Sequence, residues 1–164
     1  GYETRLLNRE DFNNDQVDAG EVGSGAAVTA LYEITRTGAP SASDPLRYGR
    51  EPRPSPATGE ELAFLKVRFK PPGAETSQLI SRPIRPSDRY GRLSDAPESS
   101  RWAVAVAAYG QKLRGDPWMR RDFDWAQIEA LAQGARGADP DGARAEFITL
   151  VRAARDATNV RALN

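Results

Sequence analysis

An α+β fold is what this 164-residue sequence predicts: a small antiparallel β-sheet, half of a sandwich-like layer, followed by a C-terminal lobe of three helices. Three observations predict it. Up to about residue 93 the apolar residues alternate with a period of two; from residue 94 they recur at helical spacing. Between two of the strand-like runs, residues 36–60 hold five of the twelve prolines, a composition that forms neither a ladder nor a helix interior. The expected division is therefore a β-rich part, 1–93, with a proline-rich loop at 36–60, and a helical lobe, 94–164.

In the first part, Tyr2 to Leu7 reads as the tail of a strand. Val28 to Ile34, VTALYEI, alternates Val28, Ala30, Tyr32 and Ile34 against Thr29, Leu31 and Glu33, with Gly20, Gly23 and Gly25 as turn residues before it. Glu61 to Lys70, ELAFLKVRFK, sets Leu65, Val67 and Phe69 against Phe64 and Lys66, so one of its faces should be buried. Ser77 to Ile84 forms the next strand, with Pro83 confining it to an edge or a strand end. Pro71, Pro72 and Gly73 supply the loop of a hairpin between these two runs.

In the helical part, Asp95 and Glu98 have capping-box spacing, and Trp102, Val106, Tyr109 and Leu113 follow at helical intervals until Gly115. Asp124 and Gln127 repeat the box, Phe123 and Ile128 occupy the positions of a hydrophobic staple, and Gly134 stops the second helix. Asp139 caps the third, with Pro140 in its first turn and Ala143, Phe147, Leu150, Val151 and Ala154 along one face. Helices this short are marginal alone, below ~12–15 residues, so they must pack together or on the sheet.

Composition excludes much chemistry. With 23 basic and 23 acidic residues no net field selects nucleic acid or an anionic membrane. The absence of Cys and His removes disulfides, thiolate nucleophiles, His-based triads and zinc sites built on those ligands. No run approaches the ~20 apolar residues of a membrane helix, and the opening Gly-Tyr reads as the start of a piece of a longer protein. No cofactor is expected and no catalytic residue stands out; an enzyme here would depend on carboxylates, Lys or Ser.

The acidic run Asn8 to Glu21 raises the question of calcium. Counted from Asp11, Asn13 and Asp15 fall at EF-hand positions 3 and 5, but Gln16 stands where glycine is needed, Val22 where the bidentate Glu belongs, and Glu21 is one residue short. The expectation is an acidic surface turn, with a weak calcium site at Asp11, Asn13 and Asp15 as the alternative. The sequence Gly134 to Glu146 lacks the Gly-Lys-Ser/Thr ending of a phosphate loop, and its Asp139 and Asp141 are better used as caps. An interaction surface is most readily assembled from Arg47, Tyr48, Arg50 and Arg53 of the proline-rich loop and from Trp118, Arg120 and Arg121. Trp102, Trp118 and Trp125 read as core or lobe-interface residues; a ligand groove would instead use Trp118, Tyr48 or Tyr90.

Four phrases, GYETRLLNREDFNNDQVDAGEVGSGAAVTALYEI, ELAFLKVRFK, AVAAYGQKLRG and ALAQGARGADPDGARAEFITLVRAAR, together resemble the C-terminal region of YfbK-like bacterial proteins that carry a von Willebrand factor type A (vWA) domain. Arg36 to Glu60 and Arg85 to Ser94 are the unmatched parts. The resemblance implies a region of no assigned activity that follows the vWA domain in a cell-envelope or periplasmic protein. It also implies that the acidic opening is a turn before a sandwich strand. The Asp-x-Ser-x-Ser motif with which vWA domains hold a metal is absent, so no metal ligand carries over. The expectation is a non-catalytic structural or protein-interaction module. Its partners would be the vWA domain and upstream strands of its own chain, with a further protein partner open, and with no nucleic acid and no membrane insertion. An autonomous module for a glycan or small ligand is the alternative.

Overall fold

The structure, a computed structural model, describes residues 9–17, 20–34, 61–117, 119 and 122–162. The chain divides into two compact units, one of residues 1–28 and 35–89, the other of Thr29–Ile34 and Tyr90–Asn164. The first contains an antiparallel hairpin, β1 (Ala63–Phe69) and β2 (Gln78–Ile84); the second contains α1 (Glu98–Leu113), α2 (Trp125–Gly134) and α3 (Ala143–Ala162). A two-stranded antiparallel sheet followed by three helices is the α+β arrangement that the two periodicities predict.

The hairpin register sets Val67 opposite Ile80, Leu65 opposite Arg82, Ala63 opposite Ile84 and Phe69 opposite Gln78. Its loop starts at Pro71 and Pro72, which cannot extend a ladder, and turns through Gly73 at φ +75°, a conformation that a side chain resists. The expectation of a buried face is overturned among the described residues. Leu65, Val67, Phe69 and Ile80 are 39–54% exposed, because nothing described lies over them. A second expectation also fails: Val28 to Ile34 pairs in no ladder, and its side chains are exposed. β-propensity alone forms no strand where no neighbouring edge accepts the backbone. The possible strand at Tyr2–Leu7 and the loop at 36–60 lie outside the described residues.

The helical unit has a core small for its length. Ile128 and Val151 are fully buried with Ala108 and Trp125, while Ala105, Ala132 and Ile148 form a neighbouring cluster. Phe147 belongs to both, meeting Trp102 and Tyr109 edge-on at 5.2 Å centroid separations, and Tyr109 meets Trp125 at 5.9 Å. Edge-to-face packing suits the ring quadrupoles and fills space that aliphatic side chains would leave open. The alanines let the helix backbones approach closely around these rings.

Caps show where local chemistry decided the elements. Asp124 accepts from the Gln127 N–H at 2.8 Å and Gln127 returns the bond to the Asp124 N–H at 2.9 Å, completing the expected box. The box expected at Asp95 does not form: Asp95 ends a short 3-10 turn, and Pro97 stands at the head of α1. Asp139 does cap α3, but from further upstream. At φ +43° its carboxylate accepts from the N–H groups of Arg144 (2.9 Å) and Ala145 (2.8 Å), so Pro140 lies in the preceding turn and not in the helix.

The predicted stripes are also partly shifted. On α1 Trp102 and Tyr109 pack inward with Ala105 and Ala108, whereas Val106 and Leu113 are exposed; on α3 Ile148 is buried in place of Leu150 and Ala143. A count weighted to large side chains misses a seam made of alanines.

Candidate functional site

The hairpin carries the most unusual surface. Because strand side chains alternate between faces, Ala63, Leu65, Val67 and Phe69 of β1 share one face with Ile80 and Ile84 of β2, interrupted by Arg82 and Gln78. Val67 and Ile80 sit directly opposite at its centre, 42% and 54% exposed. A lone two-stranded hairpin is marginally stable in water, and stability normally requires a third strand or a packed face. Arg82 lies between Ile80 and Ile84 on this face, opposite Leu65, and its guanidinium donates to Asp88 at 3.0 Å. The Arg85 N–H donates to the same carboxylate at 2.8 Å and, with the Arg82 charge, holds Asp88 below the usual carboxylate range.

The opposite face sets exposed Phe64 and Leu79 beside Lys66 and Arg68, and it is anchored. Lys66 lies over the Phe64 ring at 5.9 Å, and Arg68 reaches Asp15 at 3.2 Å. Asp15 also accepts from the Ser77 N–H at 3.1 Å, and its carbonyl accepts from Lys70. Hydrogen bonds from Ser77, aided by the charges of Arg68 and Lys70, hold the Asp15 carboxyl below its ordinary value. The acidic turn thus spends Asp15 on tying itself to the hairpin. A local turn bond of the expected kind is made by Asn14, which accepts from the Gln16 N–H at 3.0 Å, whereas Asp15 reaches across to the hairpin, with Arg68 on one carboxylate oxygen and the Ser77 N–H on the other. Among the described residues no group of three or more acidic residues is placed to hold a metal.

On the helical unit the same economy holds. Glu129 of α2, 13% exposed, receives the guanidinium groups of Arg152 and Arg155 of α3, each at 2.6 Å, and Gln133 at 2.9 Å. Arg152 first, then Arg155, keeps the Glu129 carboxyl below its usual range. The N–H groups of Arg144 and Ala145 do the same for Asp139. Beside Glu129 an open groove of about 520 Å³ runs between the end of α2 and α3, with Gln133, Arg136, Thr149 and Arg152 at its edge and Ile148 at its floor. It is polar and contains no aromatic ring, unlike the ligand groove that the sequence would build from Tyr90, Tyr48 or Trp118. Tyr90 is exposed and lines none of it. Arg47, Tyr48, Arg50, Arg53, Trp118, Arg120 and Arg121 lie outside the described residues. Sequence analysis missed the Val67/Ile80 face as a surface because the same alternation normally marks a buried one.

Comparison with known proteins gives two matches. The family described as "Uncharacterized protein YfbK, C-terminal" matches residues 1–157. The Uncharacterized protein YfbK of Escherichia coli (strain K12) is 43% identical over 161 residues, 98% of this chain and 27% of that protein. The chain therefore spans about a quarter of the length of the curated relative it matches. No solved structure matches.

Proposed function

The chain belongs to the family of YfbK C-terminal regions, and from that premise we propose that it is a non-catalytic structural and protein-interaction module of a longer bacterial cell-envelope protein. It docks by the apolar face of β1 and β2 against another part of that protein, supporting a vWA domain. The observation that carries the reading is the exposed row Leu65, Val67, Phe69 and Ile80 on a sheet too small to be stable by itself. The carboxylates favour a non-catalytic role. Among the described residues, the carboxylates with displaced ionisation (Asp15, Asp88, Glu129 and Asp139) are displaced downward, by cations and N–H groups that use them as anchors, whereas a general acid near neutrality would be displaced upward. The vWA neighbour and the envelope location rest on the family resemblance.

The test uses the full-length protein. Val67→Lys together with Ile80→Lys places two charges where docking would bury them, and the expected result is a clear fall in Tm with new binding of a hydrophobic dye. Leu150→Lys, at an exposed position on α3, should leave Tm nearly unchanged. An unchanged Tm in the double variant would show the face to be bare in the whole protein and would sink the reading.

A further inference from the structure

Val28 to Ile34 is the second stretch whose chemistry is unsatisfied. Val28 is 76% exposed, Leu31 51%, Tyr32 76% and Ile34 64%, and the segment forms neither helix nor ladder with any described residue. Val28, Tyr32 and Ile34, β-branched or aromatic residues at alternating positions, suit a pleated, half-buried surface. Left in water, four large apolar side chains and a row of open N–H and C=O groups form an aggregation template that natural proteins cover.

We infer that Val28–Ile34 becomes a β-strand in the longer protein, paired with an extended segment contributed by the part of the chain outside this region. The inference rests on the docking reading above, and adds to it a particular kind of partner: a strand with its own alternating apolar residues, joined by main-chain hydrogen bonds. Nearly three quarters of the E. coli relative lies beyond the matched 27%, which provides ample chain from which to draw such a strand. Tethering favours it over a second copy, because a covalently linked segment acts at an effective concentration on the order of millimolar. Val28, Ala30, Tyr32 and Ile34 share one face of the completed strand and Thr29, Leu31 and Glu33 the other.

Hydrogen exchange of the full-length protein, read by mass spectrometry on peptides covering residues 28–34, tests the pairing. The expected result is exchange on the order of 100-fold or more slower than that of an unpaired peptide, in the range of β1 and β2. Exchange at the unpaired rate overturns the inference. If that occurs while the Val67→Lys, Ile80→Lys protein is still destabilised, the docking reading stands and this one alone falls. A photo-crosslinker placed at Tyr32 identifies the partner. Crosslinks within one chain to residues outside this region support the assignment; crosslinks to another part of residues 1–164, or joining two chains, overturn it.

Discussion

Arg144 connects more of the helical unit than any other polar side chain described here. One guanidinium nitrogen donates to the Ala135 and Arg136 carbonyls, each at 3.0 Å, and to Glu98 at 3.2 Å, while the guanidinium carbon lies 4.8 Å from the centre of the Trp102 ring. It thus closes the C-terminal end of α2, pairs with the first turn of α1 and stacks on an α1 aromatic. A lysine has the charge without the planar fork and stacking surface. Arg144→Lys should therefore destabilise by on the order of 1–2 kcal/mol, seen as a lower urea midpoint for the full-length protein, since carbonyls lose a donor. A loss equal to that of a surface substitution such as Arg114→Lys would contradict this role. Gly137 lies beside this pair at φ +61°, a backbone conformation that a side chain resists, and a Cβ added there would also push on the end of the Glu98 side chain that pairs with Arg144. None of this was legible in the sequence, where Arg144 is one of many arginines and only distance in space distinguishes it. Asp124 was legible, because a capping box is written in four consecutive residues.

At the scale of elements, strands β1 and β2 and all three helices could be read from periodicity, and the errors share a cause. The α1 seam runs through Ala105 and Ala108, side chains too small to dominate a pattern, so helical spacing points Val106 and Leu113 inward although both are exposed. The sequence marks Asp139 as a cap but sets it directly before α3, whereas a left-handed aspartate reaches the helix N-terminus across an intervening turn. The elements are then joined through carboxylates, which makes their stability depend on acid. Glu129 ties α2 to α3 and has a folded pKa below its ordinary 4.5. A depressed pKa contributes stability that is complete above the unfolded value and is lost as pH falls through the folded value. Asp15, Asp88 and Asp139 have the same sign relative to their ordinary 3.8. Thermal unfolding of the full-length protein should thus be flat from neutrality to about pH 5 and fall below about pH 4. Glu129→Gln should lower Tm at neutral pH and make the acid fall shallower; an unchanged acid profile would show that these pairs contribute nothing.

At the scale of the whole molecule, the sequence conveyed the class of fold and the family. It could not convey the state of the sheet, because alternation looks the same whether the apolar face is buried within the chain or kept for a partner. Val67 and Ile80 on the hairpin, and Tyr32 and Ile34 upstream, are hydrophobic in a pattern that demands cover. The described residues do not provide that cover, and the relative's greater length indicates where it can come from. On the docking proposed above, the rest of the longer protein holds this region without needing the covalent link. Cutting the full-length protein at a protease site engineered just before Gly1, then passing it through gel filtration, tests this most directly. Docking predicts that the cleaved region co-elutes with the remainder and is released by Val67→Lys with Ile80→Lys. Clean separation of the unsubstituted region as a folded piece would contradict docking.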